Sequence, residues 1–196
     1  TQWVWHGSGF TSPEKVALVS HFPSSINLQP YLFRLPNELF KVKEFLLSHG
    51  VKPQFTVDDL LDMLWNIKAK HDDKKRPPKE VMQDLGQCRA VLEWIVRSGG
   101  QLSEERRSKL LIPVQVKSDK LQLEPCNLCT FCDREFLRQG ISENAISIKS
   151  HLIHKAIPDE LASRLRVPRL SSCLAGATAV GIKFKEAGQY EPLTTR

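Results

Sequence analysis

Three cysteines placed close together are the strongest chemical signal in the sequence. Cys126, Cys129 and Cys132 stand at two successive C-x-x-C spacings. Thiolates at this spacing bind zinc in structural sites, and His154 or His151 could supply the fourth ligand of a closed tetrahedral set. A zinc-stabilised protein-binding module is therefore one hypothesis. No second C-x-x-C is present, and reduced cysteine often packs as a small apolar residue, so the favoured interpretation is core packing without a metal.

A cysteine nucleophile is a second possible chemistry, with Cys129 activated by His154 as its base. The pairing carries little information, because it can be drawn from five cysteines and six histidines. A strand is the expected conformation around His151, and it would place the two histidines on opposite faces. The motifs G-x-S-x-G, G-x-x-x-x-G-K-[ST], H-E-x-x-H and G-x-G-x-x-G are all missing from the sequence. We therefore predict no enzymatic activity, no catalytic residue and no cofactor.

Two tryptophans near the start of the chain are the candidate partner-binding residues. Trp3 and Trp5 are two positions apart, so on a strand they share one face. An exposed pair of this kind could bind a peptide. Tryptophan is more commonly largely buried, so core packing is the favoured interpretation.

The composition is that of an ordinary globular chain. Its 196 residues include 28 Lys and Arg against 22 Asp and Glu, a net charge of +6, and 41% are hydrophobic. The densest basic clusters, 71–79 and 164–169, are typical of a solvated linker and of a helix end, so no nucleic-acid binding is expected. No apolar run is long enough for a membrane span, and no secretion signal opens the chain. We expect a soluble, cytoplasmic protein with reduced thiols. Because it opens on Thr1 rather than Met, we also expect a piece of something longer.

Hydrophobic periodicity predicts an α+β fold, with a central bundle of about three helices and short strands before and after it. The three helices are expected to pack on one another. The predicted elements are strands around 3–5 and 16–19, a helix over 37–48 capped by Asn37, a helix opened by Thr56, a helix that begins at Pro78 and is ended by Gly99-Gly100, a hairpin over 111–123 with Pro113 on an edge strand, a strand over 146–157, and a helix from Pro158 to about Arg166.

Several motifs, read together, resemble the sacsin family of giant multi-repeat, chaperone-like proteins. The similarity extends over nearly the whole chain. The residues that carry it are Trp3-x-Trp5-x-Gly7-x-Gly9-Phe10, Asn27-Leu28-x-Pro30-Tyr31-Leu32-Phe33, Gly50-Val51-Lys52, Phe55-Thr56-x-Asp58-Asp59, Cys129-Thr130-Phe131-x-Asp133, His154, Ile157-Pro158, Val167-Pro168-x-Leu170-Ser171 and Gly188-Gln189-x-Glu191-Pro192-Leu193-Thr194-x-Arg196. The last of these resembles the lead-in to the ATP-binding domain that opens each large repeat of the family.

The resemblance implies that this chain is the C-terminal segment of one large repeat. It then divides into strands plus a three-helix region over 1–110, a small α/β region over 111–180, and a flexible lead-in to the next repeat over 181–196. The implied partners are neighbouring ATPase-like domains of the same protein and, through that protein, the seventy-kilodalton heat-shock chaperone system involved in protein quality control.

The parts of the family that perform chemistry are not found in the sequence. The nucleotide-binding motif of the family does not occur, and Ile157 stands where the His-Pro-Asp motif of J-domains needs histidine. The resemblance therefore transfers no catalytic residue. The leading prediction is a non-catalytic structural and interaction module of a co-chaperone.

Overall fold

Short strands and helices alternate along the chain, which confirms the predicted α+β class. The computed structural model describes residues 1–19, 22, 26, 28–73, 76–98, 103–115, 120–142, 150–175, 182–184 and 190–192. The elements of the first half are β1 (Val4–Trp5), β2 (Phe10–Thr11), β3 (Val16–Val19), β4 (Phe33–Arg34), α1 (Lys43–Ser48), β5 (Lys52–Gln54), α2 (Val57–Asp73) and α3 (Pro78–Arg97). Those of the second half are α4 (Glu104–Lys109), β6 (Leu111–Val114), β7 (Gln122–Pro125), β8 (Cys129–Thr130), α5 (Glu135–Ser142), β9 (His151–Leu152), α6 (Asp159–Arg164), α7 (Leu170–Ala175), β10 (Ile182–Phe184) and β11 (Tyr190–Pro192).

A small parallel sheet organises the N-terminal core. Strand β3 lies between β4 and β5, with Val16 opposite Phe33 and Ala17 opposite Lys52. Strand β1 and helix α1 each contribute a buried side chain to the same core. Its buried members are Val4, Val16, Leu18, Leu35, Leu46 and Val51.

The two long helices form the main core together with the hairpin β6–β7. Helix α2 begins with the predicted capping box, because the carboxylate of Asp59 accepts hydrogen bonds from the backbone N–H and the hydroxyl of Thr56 at 2.7 and 2.9 Å. Along α3, the predicted apolar stripe is buried at Leu85, Leu92 and Ile95 among others. Residues from Ala17 to Val167 contribute to this core, so it contains residues of both the 1–110 and the 111–180 region. The domain division remains a prediction.

A third, smaller cluster lies in the C-terminal part. Strand β8 pairs in parallel with β9, with Cys129 opposite His151. The buried members of the cluster are Cys132, Leu137, Leu152 and Leu170. No helix in the described ranges is both long and apolar enough to cross a membrane.

Helix packing differs from the prediction for the first of the three helices. Helices α2 and α3 pack on each other, as expected, whereas α1 buries Leu46 in the N-terminal core. Local periodicity identifies the apolar face of a helix but not the partner of that face. The cap also differs: Asn37 is the first residue of a 3₁₀ turn, Asn37–Val42, whose N-cap is Pro36 without a side-chain hydrogen bond.

The predicted strands form at the expected positions, but their number and length differ in part from the prediction. Among the described residues of the first 36, four strands form where two were expected. The hairpin is confirmed, but Pro113 is not on a free edge, because its carbonyl accepts the His154 N–H at 2.8 Å and Val114 bridges to Ile153. Within 146–157, the described strand is only β9; residues 146–149 lie outside the described residues.

The C-terminal stretch holds one described pair of strands. Strands β10 and β11 pair antiparallel, with Lys183 opposite Glu191. They fall inside the predicted lead-in of 181–196, and the rest of that lead-in lies outside the described residues.

Candidate interaction site

The N-terminal hairpin places two aromatic side chains next to each other at the surface. Trp5 lies opposite Phe10 across β1 and β2, and the turn between them uses the left-handed conformation of Gly7, whose φ is +104°. Val4, adjacent to Trp5, is 1% exposed and belongs to the N-terminal core. Side chains alternate along a strand, so Trp5 and Phe10 are directed away from that core. They are 37% and 63% exposed.

Helix α1 brings a third aromatic ring against Trp3, at the start of the same hairpin. Phe45 is 55% exposed, and its ring lies 6.2 Å, centroid to centroid, from the half-buried ring of Trp3 in an edge-to-face arrangement. His49 packs at 4.1 Å from Phe45 and 6.1 Å from Trp3. Leu46 anchors the helix in the core. The next position back, Phe45, therefore faces outward.

We call Trp3, Trp5, Phe10 and Phe45 the aromatic surface. Trp3 packs partly against the N-terminal core, as the core-packing interpretation expected, while Trp5 is exposed. The sequence drew attention to the two tryptophans but missed Phe10 and Phe45, because their proximity depends on the hairpin register and on where α1 packs. Clustered exposed aromatic groups are typical of protein-binding surfaces.

The three clustered thiols are divided between two buried clusters of the fold. Cys126 and Cys129 belong to the main core and Cys132 to the third cluster. Each thiol donates to a different backbone carbonyl. The Cys126 sulfur lies 3.8 Å from the carbonyl oxygen of Leu165. The sulfur atoms of Cys129 and Cys132 lie 3.3 Å and 3.1 Å from the carbonyl oxygens of Pro125 and Arg134, respectively. Within the described part of the chain, no three or more His, Cys, Asp or Glu side chains are arranged to hold a metal ion.

The pKa of Cys126 and that of Cys129 are shifted away from the range that a nucleophilic cysteine needs. Burial raises the pKa of the Cys129 thiol to about 12, with Cys126 and Glu124 adding to the effect. Burial likewise raises the pKa of Cys126, against the opposing effect of Arg107. A nucleophilic cysteine needs the opposite shift, toward a stable thiolate. The backbone N–H of Ala156 donates to Nδ1 of His154 at 3.1 Å, and burial together with Lys155 lowers the pKa of that imidazole.

A buried polar network between α2 and α3 was not predicted. The start of the 71–79 run, interpreted as a solvated linker, instead belongs to α2, and His71 is only 4% exposed. Its Nε2 lies 2.7 Å from the carboxylate of Asp84, which is 2% exposed and also accepts a hydrogen bond from Lys70 at 2.8 Å. The signal that could have indicated it is Asp84 itself, a charged residue four positions before buried Cys88 on the inner face of a helix.

The fold and this surface define an α+β chain with exposed aromatic side chains and with no assembled metal cluster among its described residues. Comparison with known proteins shows similarity to sacsin of Homo sapiens: the two are 28% identical over 196 residues, which is 99% of this chain. The matching region is 4% of the length of sacsin. The resemblance noted in the motifs is thereby confirmed. No family model matches the chain, and no solved structure matches it.

Proposed function

We propose that this chain is a non-catalytic structural and interaction module of a large, cytoplasmic, sacsin-like co-chaperone. The observation that carries the proposal is the aromatic surface, where two neighbouring elements, β1–β2 and α1, each hold an aromatic ring largely in solvent. The similarity to sacsin along 99% of the chain supports it. The high pKa of the Cys129 thiol supports the non-catalytic part.

The partner proposed for the aromatic surface is a neighbouring ATPase-like domain of the same protein. Trp5 and Phe10 are held by backbone pairing across a tight hairpin, so little conformational freedom is lost when they are covered. Rigid aromatic groups of this kind commonly dominate binding energy. Through the larger protein, the module would contribute to regulating the seventy-kilodalton heat-shock chaperone system and protein quality control.

Calorimetric titration with the ATPase-like domain of the same protein tests this proposal. Phe10→Ala should weaken binding by about tenfold or more, since removal of a central aromatic contact costs at least ~1.4 kcal/mol. Met82→Ala is the matched control, because Met82 on α3 is 66% exposed against 63% for Phe10, and it should change the affinity less than about twofold.

Two results would refute the proposal. One is an equal loss of affinity in the Phe10 and Met82 variants, which would show that the aromatic surface has no special role. The other is steady ATP hydrolysis by the 196-residue chain alone, because a module that binds without reacting has no turnover. Thermal melting should be nearly unchanged in both variants, since both side chains are largely solvated.

A further inference from the structure

A cleft between α3 and α6 is lined mainly by charged side chains, with a few apolar ones between them. It has a volume of about 230 Å³. The residues of helix α3 that line the cleft are spaced by four, three and one along the chain, so they lie on one face of that helix. Helix α6 forms the opposite wall of the cleft. Its lining residues are Arg89, Glu93, Val96, Arg97, Pro158, Glu160, Leu161 and Arg164. None of them belongs to the aromatic surface.

The positive charges of the rim exceed the carboxylates available to them. Glu93 is shared by two guanidinium groups, that of Arg89 at 2.8 Å and that of Arg97 at 3.8 Å. Arg164, at the end of α6, is exposed, and its guanidinium has no ion pair or hydrogen bond to the described part of the chain. A guanidinium has five N–H donors in a fork that matches a carboxylate. The rim therefore keeps donors directed to solvent beside a few apolar side chains.

We propose that this cleft binds an acidic peptide segment that carries an apolar residue beside its carboxylates. A ligand carboxylate would bind the guanidinium of Arg164, and an apolar side chain would cover Val96 and Leu161. The carboxylates of Glu93 and Glu160 on the same rim would repel a continuous polyanion, and none of the described residues that line the cleft is aromatic and able to stack a base. A peptide with spaced carboxylates avoids this repulsion, whereas a nucleic-acid strand does not.

Fluorescence anisotropy with a short labelled peptide of Glu, Leu and Gly tests the assignment. The 196-residue chain should bind it, and the affinity should fall as sodium chloride is raised, because exposed ion pairs are screened. Arg164→Glu should weaken binding at least about fivefold, since it replaces an attractive contact by a repulsive one. Arg34→Glu is the matched control: it makes the same change of charge at an exposed residue of β4, outside the cleft, and should have little effect.

Each alternative outcome contradicts the assignment. If a peptide with Gln in place of Glu binds equally well, the guanidinium groups do not recognise carboxylates. If Arg34→Glu weakens binding as much as Arg164→Glu, only net charge is being measured. If a single-stranded oligothymidylate binds more tightly than the peptide, the ligand class is wrong. Trp5→Ala should leave peptide binding unchanged, which keeps this test independent of the proposed function.

Discussion

Asp84 illustrates how much a single buried residue can matter in this fold. Its carboxylate lies between α2 and α3, where Lys70 donates to it at 2.8 Å and the ring of His71 approaches to 2.7 Å. Burial of a charged group is costly unless its partners are present. Removal of one member therefore affects more than one contact.

We expect Asp84→Ala to lower the free energy of unfolding by about 3 kcal/mol, because it leaves Lys70 and His71 without their shared carboxylate in a buried site. Urea denaturation followed by tryptophan fluorescence measures this change. Glu80→Ala is the control. Glu80 contacts the same lysine at 3.3 Å but its side chain is 42% exposed, so the loss should be below about 1 kcal/mol. Equal losses in the two variants would show that the network is not selectively important.

The burial of individual thiols should control how fast they react with an alkylating reagent. In the native protein at neutral pH, Cys129 should react slowly with iodoacetamide, because a thiol with a pKa of about 12 is almost entirely protonated. Exposed Cys173 should be alkylated first, and Cys129 only after unfolding. Peptide mass spectrometry of a time course distinguishes the two sites. Rapid alkylation of Cys129 in the folded chain would instead support the cysteine-enzyme alternative.

The start of α2 shows how one helix end couples stability to pH. Asp59 is buried; burial alone would raise the pKa of its carboxyl, but hydrogen bonds from Lys52 and Thr56 hold it below the ordinary value of 3.8. A carboxyl whose pKa is lower in the folded state stabilises the fold above its unfolded pKa. That contribution is lost as the pH falls through the folded pKa.

Asp59→Asn should therefore have two effects. At neutral pH it should lower stability by about 1 kcal/mol, since the charge of the capping carboxylate and its pairing with Lys52 are removed. Below about pH 4, the stability of the variant should depend less steeply on pH than that of the parent chain. Chemical denaturation repeated across acidic pH measures both effects. If the free energy of unfolding of the variant depends on acidic pH as steeply as that of the parent chain, Asp59 is not the source of this pH dependence.

Elements with strong local signals were predictable, and those without them were not. Helices α2 and α3 have a cap or an initial proline and a long apolar stripe, so they were predicted within a few residues. Strands of two residues, such as β2 and β4, are too short to show an alternating pattern. The association of α1 with the parallel sheet depends on contacts distant in sequence, which local periodicity does not encode.

For the candidate sites as well, individual residues could be predicted from the sequence, but contacts between distant segments could not. Trp3 and Trp5 could be singled out from their type and spacing, but the aromatic surface needs Phe45 from a separate helix. The cysteine spacing suggested a metal site, whereas in the described part of the chain a 3₁₀ turn and β8 direct the three thiols to different carbonyl groups. Spacing along a chain constrains ligand geometry only when the connecting backbone is known.

At the scale of the whole molecule, two separate surfaces are the proposed binding sites. The aromatic surface and the α3–α6 cleft involve different elements. The similarity to sacsin covers 99% of the chain but only 4% of sacsin. A module of this size within a much larger protein would act by positioning its neighbours, which is the central claim of the proposed function.

Site-specific photo-crosslinking in the full-length protein tests that claim most directly. A benzophenone amino acid placed at Trp5 reports contacts of the aromatic surface, and the same group at Trp65, which is 43% exposed against 37% for Trp5, serves as the reference. Crosslinks from position 5 to an ATPase-like domain of the same protein should greatly outnumber those from position 65. Equal crosslinking at the two positions, or none at position 5, would contradict it.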